Sequence, residues 1–308
     1  MTMTTDEKEL LETLTPAAAP VMSRLDTATW FDREHANTEC SPIDEFVINL
    51  YAINRIYLGA EAREEYSPML GSLVYLGMVS AAESYFRSLL RRLILTDHVC
   101  ISNASNRMVS YGAVLHHTDD LLPEALLEGI SLASKKNVAS ELRTLCSITQ
   151  MGKDGCVPNH LQLLFENFES ICQIRHCGIH RFGKLGSQQA LKLGIANHAP
   201  LLEKPLSLSV AHLQDIAEAL EALVRGVNSH CFADIIKRTH TAGPGGRDKT
   251  LYPEAWEMEF DADSARFMRY YSIFAASAGP LKSQPVDIIY SAFMAFVRTY
   301  DSAPGRRQ

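Results

Sequence analysis

The chain has 308 residues, 46% of them hydrophobic, enough to bury a sizeable core as one large domain or two smaller ones. A formal net charge of −7 and a pI near 5.9 exclude a protein that coats nucleic acid with its whole surface, so any such contact must be local. Seven scattered cysteines without a C-x-x-C pair read as reduced, mostly buried thiols. The acidic start MTMTTDEKELLETL has no apolar signal region, and no run of about 18 apolar residues occurs, so the expectation is a soluble, unexported, cytoplasmic protein that does not enter a membrane.

In chain order, residues 1–40 read as a loosely packed lead-in whose segment TPAAAPV carries two helix-breaking prolines. Ser41-Pro42 followed by Asp44 and Glu45 predicts a helix start, with Phe46, Leu50, Ile53 and Tyr57 as its apolar face. The segment Leu70 to Leu95 predicts a second, longer helix with Leu76, Val79, Tyr85, Phe86, Leu89, Leu90 and Leu93 buried. Glu83 sits among small residues on this greasy face, and Arg87 four positions on suits a surface ion pair with it. Three shorter helices are expected over 106–117, 123–133 and 137–148, the last capped by Asn137. The run His116-His117-Thr118-Asp119-Asp120 looks like a metal set, but adjacent histidines point to different sides of a regular element, so no metal is expected there.

Residues 157–186, VPNHLQLLFENFESICQIRHCGIHRFGKLG, draw one apolar stripe through Leu161, Leu164, Phe165, Phe168, Ile171 and Cys172. The same steps carry the stripe to Arg175, His176, Ile179 and His180, so a core face is expected to turn cationic before Gly183 and Gly186 stop the helix. Arg175 and His180 are separated by about 140° around the axis and flank His176. No Asp or Glu occurs from Ser170 to Leu202, which leaves Arg175, Arg181, Lys184 and Lys192 as a local basic island. A long helix is then expected over 207–240 with Ser207 or Ser209 as its cap, AGPGGRDK is a linker, and two amphipathic helices span 262–278 and 286–300. Strand alternation and repeats are absent from the pattern, so the fold class is all-α.

The spacing Arg175-His176-x-x-x-His180, at the end of an amphipathic helix and before a basic Gly-containing turn, resembles the motif of the HEPN superfamily, and AAESYFRSLLRRLI around Glu83 resembles that family's opening helix. The resemblance covers roughly 70–240, with 1–69 as a lead-in and helix and 241–308 as a helical extension. It implies an all-α bundle that forms a homodimer in which two motif helices meet at one composite site, and a metal-independent endoribonuclease of a toxin or anti-phage setting, with RNA as substrate, no cofactor, and an inhibitory or sensor protein as a further partner. Arg175 and His180 would be the catalytic pair, His176 and Glu83 supporting groups, and Arg181 and Lys184 the RNA contacts.

The residue types agree with that chemistry. RNA carries its own nucleophile in the 2′-OH, so the enzyme needs a base, an acid and positive charge at the phosphoryl oxygens, which two His and two Arg from twofold-related copies supply. Two other readings use the same residues: zinc held by Cys172, His176 and His180 with a fourth ligand from elsewhere, and a non-catalytic HEPN-like module that binds a nucleotide or acts as a scaffold.

Overall fold

The computed structural model describes residues 22–34, 40–119, 121–242 and 252–303, which fall into two compact units, Met1–Glu39 and Cys40–Gln308. Among the described residues of the first unit a 3-10 turn, Thr27–Trp30, is capped by Asp26, whose carboxylate accepts from the Ala28 N–H at 3.3 Å. The acidic start and TPAAAPV lie outside the described residues, as do most of the expected linker AGPGGRDK and the end of the tail.

The second unit is all-α: its described residues form eleven α-helices and no strand. Helix α1 (Pro42–Ala62) starts as expected, with the Ser41 side chain accepting from the Asp44 N–H at 3.2 Å, Pro42 in the first turn and the acids beside it. It packs along α2 (Pro68–Thr96), the central helix, which buries Tyr75, Met78, Val79, Tyr85, Phe86, Leu89, Leu90 and Leu93. Leu76, expected in the core, is only half-buried. Arg87 does not pair with Glu83. Its guanidinium donates to the carbonyls of Leu127 at 2.5 Å and Ile130 at 2.9 Å.

The three short helices expected between 106 and 148 are present with shifted limits, and a further short helix precedes them. Helix α3 (His98–Ala104), unanticipated, is capped by Asp97. Helix α4 (Tyr111–His116) waits for Ser110 as its cap. Helix α5 (Leu122–Leu127) ends early, where Arg87 takes the free carbonyls. Helix α6 (Lys135–Thr144) is capped by Ser134 and not by Asn137, whose amide instead donates to the Ser131 carbonyl at 2.8 Å. It stops well before Ile148 because Ser147 takes a left-handed conformation (φ 51°), its N–H donating to the Arg143 carbonyl at 3.1 Å.

Helix α7 (Gln162–Arg181) follows a 3-10 turn, and α8 (Ser187–His198) was not expected at all. Helix α9 (Val210–Thr241) is capped by Ser209 in a reciprocal box with His212, and it buries Leu213, Ala217, Leu220, Leu223, Val224 and Val227 as the periodicity demands. Helices α10 (Phe260–Phe274) and α11 (Val286–Asp301) pack on each other and on α9. The core is continuous from α1 through α2, α7 and α9 to α11, across residues 69 and 241. Of the seven cysteines, five are buried, Cys40 is half-buried and Cys156 is exposed. No described helix is long and apolar enough to cross a membrane.

Candidate active site

Helix α7 lies antiparallel to α2, as three pairings show. Phe86 meets Phe168 with ring centroids 5.8 Å apart, Glu83 meets Arg175, and Leu76 comes so close to Gly178 that a Cβ there would stand 3.2 Å from its Cδ2. Phe165, Phe168, Ile171 and Cys172 are buried, as the stripe predicts. Beyond Cys172 the expectation needs correction. The buried face passes to Gln173 and Cys177, Arg175 is half-buried, and His176, Ile179 and His180 are exposed. The reason is the helical pitch: each step of four advances about 400°, so two such steps from Cys172 drift about 80° off the core face.

The end of α7 differs from expectation too. Phe182, not a glycine, takes the left-handed cap (φ 50°), Gly183 follows at φ 87° with its N–H donating to the Cys177 carbonyl at 3.1 Å, and Gly186 serves as the residue that opens α8. The returning strand of chain closes the turn, with Leu206 N–H donating to the Gly183 carbonyl at 2.9 Å.

On the exposed side of this helix end the rings of His176 and His180 lie 4.4 Å apart by centroid, inclined at 47°. Arg175, on the α2 side of the pair, brings Nη2 within 3.5 Å of Glu83 Oε2, while Glu83 Oε1 accepts the Leu132 N–H at 2.9 Å. Glu83 therefore ties the helix end to the segment before α6 and holds Arg175 beside the histidines. Loss of hydration, then the positive charges of His180, Lys192 and Arg175, lower the His176 pKa below its ordinary 6.5. The neutral ring is thus favoured at neutral pH. No family model matches this chain, and neither a curated protein nor a solved structure proved similar to it.

The two expected RNA contacts are placed differently. Arg181 makes a two-pronged ion pair with Glu203, at 2.7 and 2.8 Å, the first acid after the basic island. Lys184 is exposed at the turn beyond it. The zinc set does not converge: Cys172 is buried, with burial and then Glu169 pushing its thiol pKa up, whereas His176 and His180 face outward. Among the described residues no group of three or more His, Cys, Asp or Glu is placed to hold a metal ion. His117 turns its Nδ1 to the Ala113 carbonyl, 3.1 Å away.

Sequence reasoning missed the role of α8. Its Lys192 is close enough to act on His176, and it appeared in the sequence only as one cation of the island. The element itself, SQQALKLGIANH, is interrupted by Gly194 at φ 102°.

Proposed function

We propose that this protein is a metal-independent endoribonuclease whose catalytic pair is Arg175 and His180. The observation that carries the reading is the exposed constellation at the end of α7, two histidines 4.4 Å apart by ring centroid with Arg175 beside them. In this reading one His removes the 2′-OH proton and another protonates the leaving 5′ oxygen, while Arg175 offers its planar fork to the phosphoryl oxygens. The neighbouring Glu83 carboxylate restrains the rotamers of Arg175, so less freedom is lost when it meets a phosphate.

One copy supplies a single arginine at this place, so the reading includes a homodimer that brings two motif ends together. Support comes from exposed apolar side chains flanking the histidines, Ile179 at 48% and Phe182 at 80% exposure, a rim suited to a second copy. A toxin or anti-phage setting, with a restraining protein partner, belongs to the same reading. Single-stranded RNA incubated with the purified chain in EDTA should be cut. Activity that vanishes in EDTA and returns with magnesium would overturn the mechanism.

A second reading, a non-catalytic module that binds a nucleotide or acts as a scaffold, is favoured by one observation. Arg175 already has a carboxylate partner, and a guanidinium so matched can be structural. RNA binding without any cleavage product would select it.

A further inference from the structure

Along α7, beside the motif, a polar groove of about 430 Å³ is framed by three further parts of the chain. The start of α6 contributes Lys135, Lys136 and Asn137, the turn before α7 contributes Gly155, and α8 contributes Lys192. Its volume falls within the range of about 300 to 1,000 Å³ that suits small-ligand sites, but its lining is polar or charged throughout apart from Gly155, unlike the apolar walls of most such pockets. A hydrophilic, anionic occupant fits that lining.

The geometry of the groove is built and not incidental. Gly155, at φ 82°, lies so close to the α6 backbone that a Cβ there would stand 3.4 Å from the Lys136 Cα, so the turn forms one wall directly against the lysine. Two acids also line the groove, and they differ in availability. Glu169 is committed to the Lys135 N–H at 2.9 Å and the Gln173 amide at 2.6 Å, leaving Asp154 as the exposed acid. Lys135 reaches toward Gln162, 3.4 Å away, whereas Lys136 and Lys192 are exposed and make no ion pair among the described residues. Lys192 shares the groove lining with Gln173, which precedes His176 by one turn on α7. The groove therefore runs along α7 up to the turn before the histidines.

We propose that this groove is the substrate track of the site, in which Lys136 and Lys192 hold the phosphates of the single RNA strand next to the cleaved bond. The inference rests on the nuclease reading for what happens to the strand, but not for the binding itself. A polar floor and flexible ammonium groups fit a backbone followed without regard to base, because Lys meets a phosphate as a point charge where Arg would grip it as a fork.

The test uses full-length protein carrying His180→Ala, a fluorescein-labelled single-stranded RNA and fluorescence anisotropy over a range of salt. Adding Lys136→Ala and Lys192→Ala together should weaken binding about tenfold or more and lower the salt slope by about 0.7 per lysine. Lys282→Ala, in the chain between α10 and α11, should change neither. Unchanged affinity and slope in the lysine variants, or no RNA binding by the parent chain, overturns the track, as does lysine-dependent binding of AMP with lysine-independent binding of RNA. The two claims separate in a parallel cleavage assay. Lysine variants that cut RNA with unchanged KM sink the track and leave the nuclease standing, whereas lysine-dependent binding without any cutting keeps the track and removes the nuclease.

Discussion

His176 shares one exposed helix end with His180 and is crowded by Lys192 and Arg175, and that crowding is measurable. In an NMR titration the His176 ring should show a midpoint below 6.5, and Lys192→Ala should move it upward by removing one of the charges that disfavour protonation. A midpoint unmoved by that change would detach Lys192 from the site. The sign carries over to folding: as pH falls below the ordinary value, the unfolded chain takes up the proton before the folded one, so this group's contribution to stability declines on acidification. His180→Ala should abolish cleavage while shifting stability by no more than about 0.5 kcal/mol, because an exposed ring carries little packing. If it melts the protein, the ring is structural. Arg175→Lys should keep the fold and lose most of the rate, since the ammonium cannot bridge two oxygens. The sequence made Arg175, His176 and His180 legible as a set. It misjudged their burial because spacings of three and four were continued past the point where the pitch leaves the core face.

Helix α7 joins core and site in one element, so the two can be damaged separately. Phe168 is 1% exposed against Phe86, and Phe168→Ala should cost about 3 to 5 kcal/mol by opening a cavity, with activity lost only through unfolding. Thermal melts that match wild type would show that the aromatic stack is dispensable. At the other end of the bundle, fully buried Asp97 caps α3, accepts the Arg238 guanidinium at 2.8 Å and the Tyr252 hydroxyl at 2.6 Å, and so ties α9 and the chain after it to the core. Asp97→Ala should cost about 3 to 5 kcal/mol in chemical denaturation, because it strands a buried guanidinium. A loss below about 1 kcal/mol would mean water replaces the carboxylate. The long helices α1, α2, α7 and α9 were legible because their apolar stripes run for several turns, behind serine caps in α1, α2 and α9. The short ones were not. Their limits are set by Arg87, Ser134 and the left-handed Ser147, which act through tertiary contacts or single dihedrals that leave no periodic trace.

For the molecule as a whole, an all-α class followed directly from helical periodicity without strand alternation, but the continuity of the core did not. Buried Asp44 on α1 accepts from Ser277 and Ala278 after α10, and Ser41 donates to the Ala275 carbonyl at 2.6 Å, contacts across more than two hundred residues that no local pattern announces. The composite-site reading sets an expectation for assembly: light scattering at working concentration should give twice the 34.2 kDa of one chain, and a strict monomer that cuts RNA would end the two-copy scheme. The most direct test of the central claim is mass spectrometry of the ends produced from a defined single-stranded RNA in EDTA. Attack by the ribose 2′-OH predicts a 2′,3′-cyclic phosphate on one fragment and a 5′-hydroxyl on the other, whereas 5′-phosphate with 3′-hydroxyl ends, or an intact RNA, would contradict it.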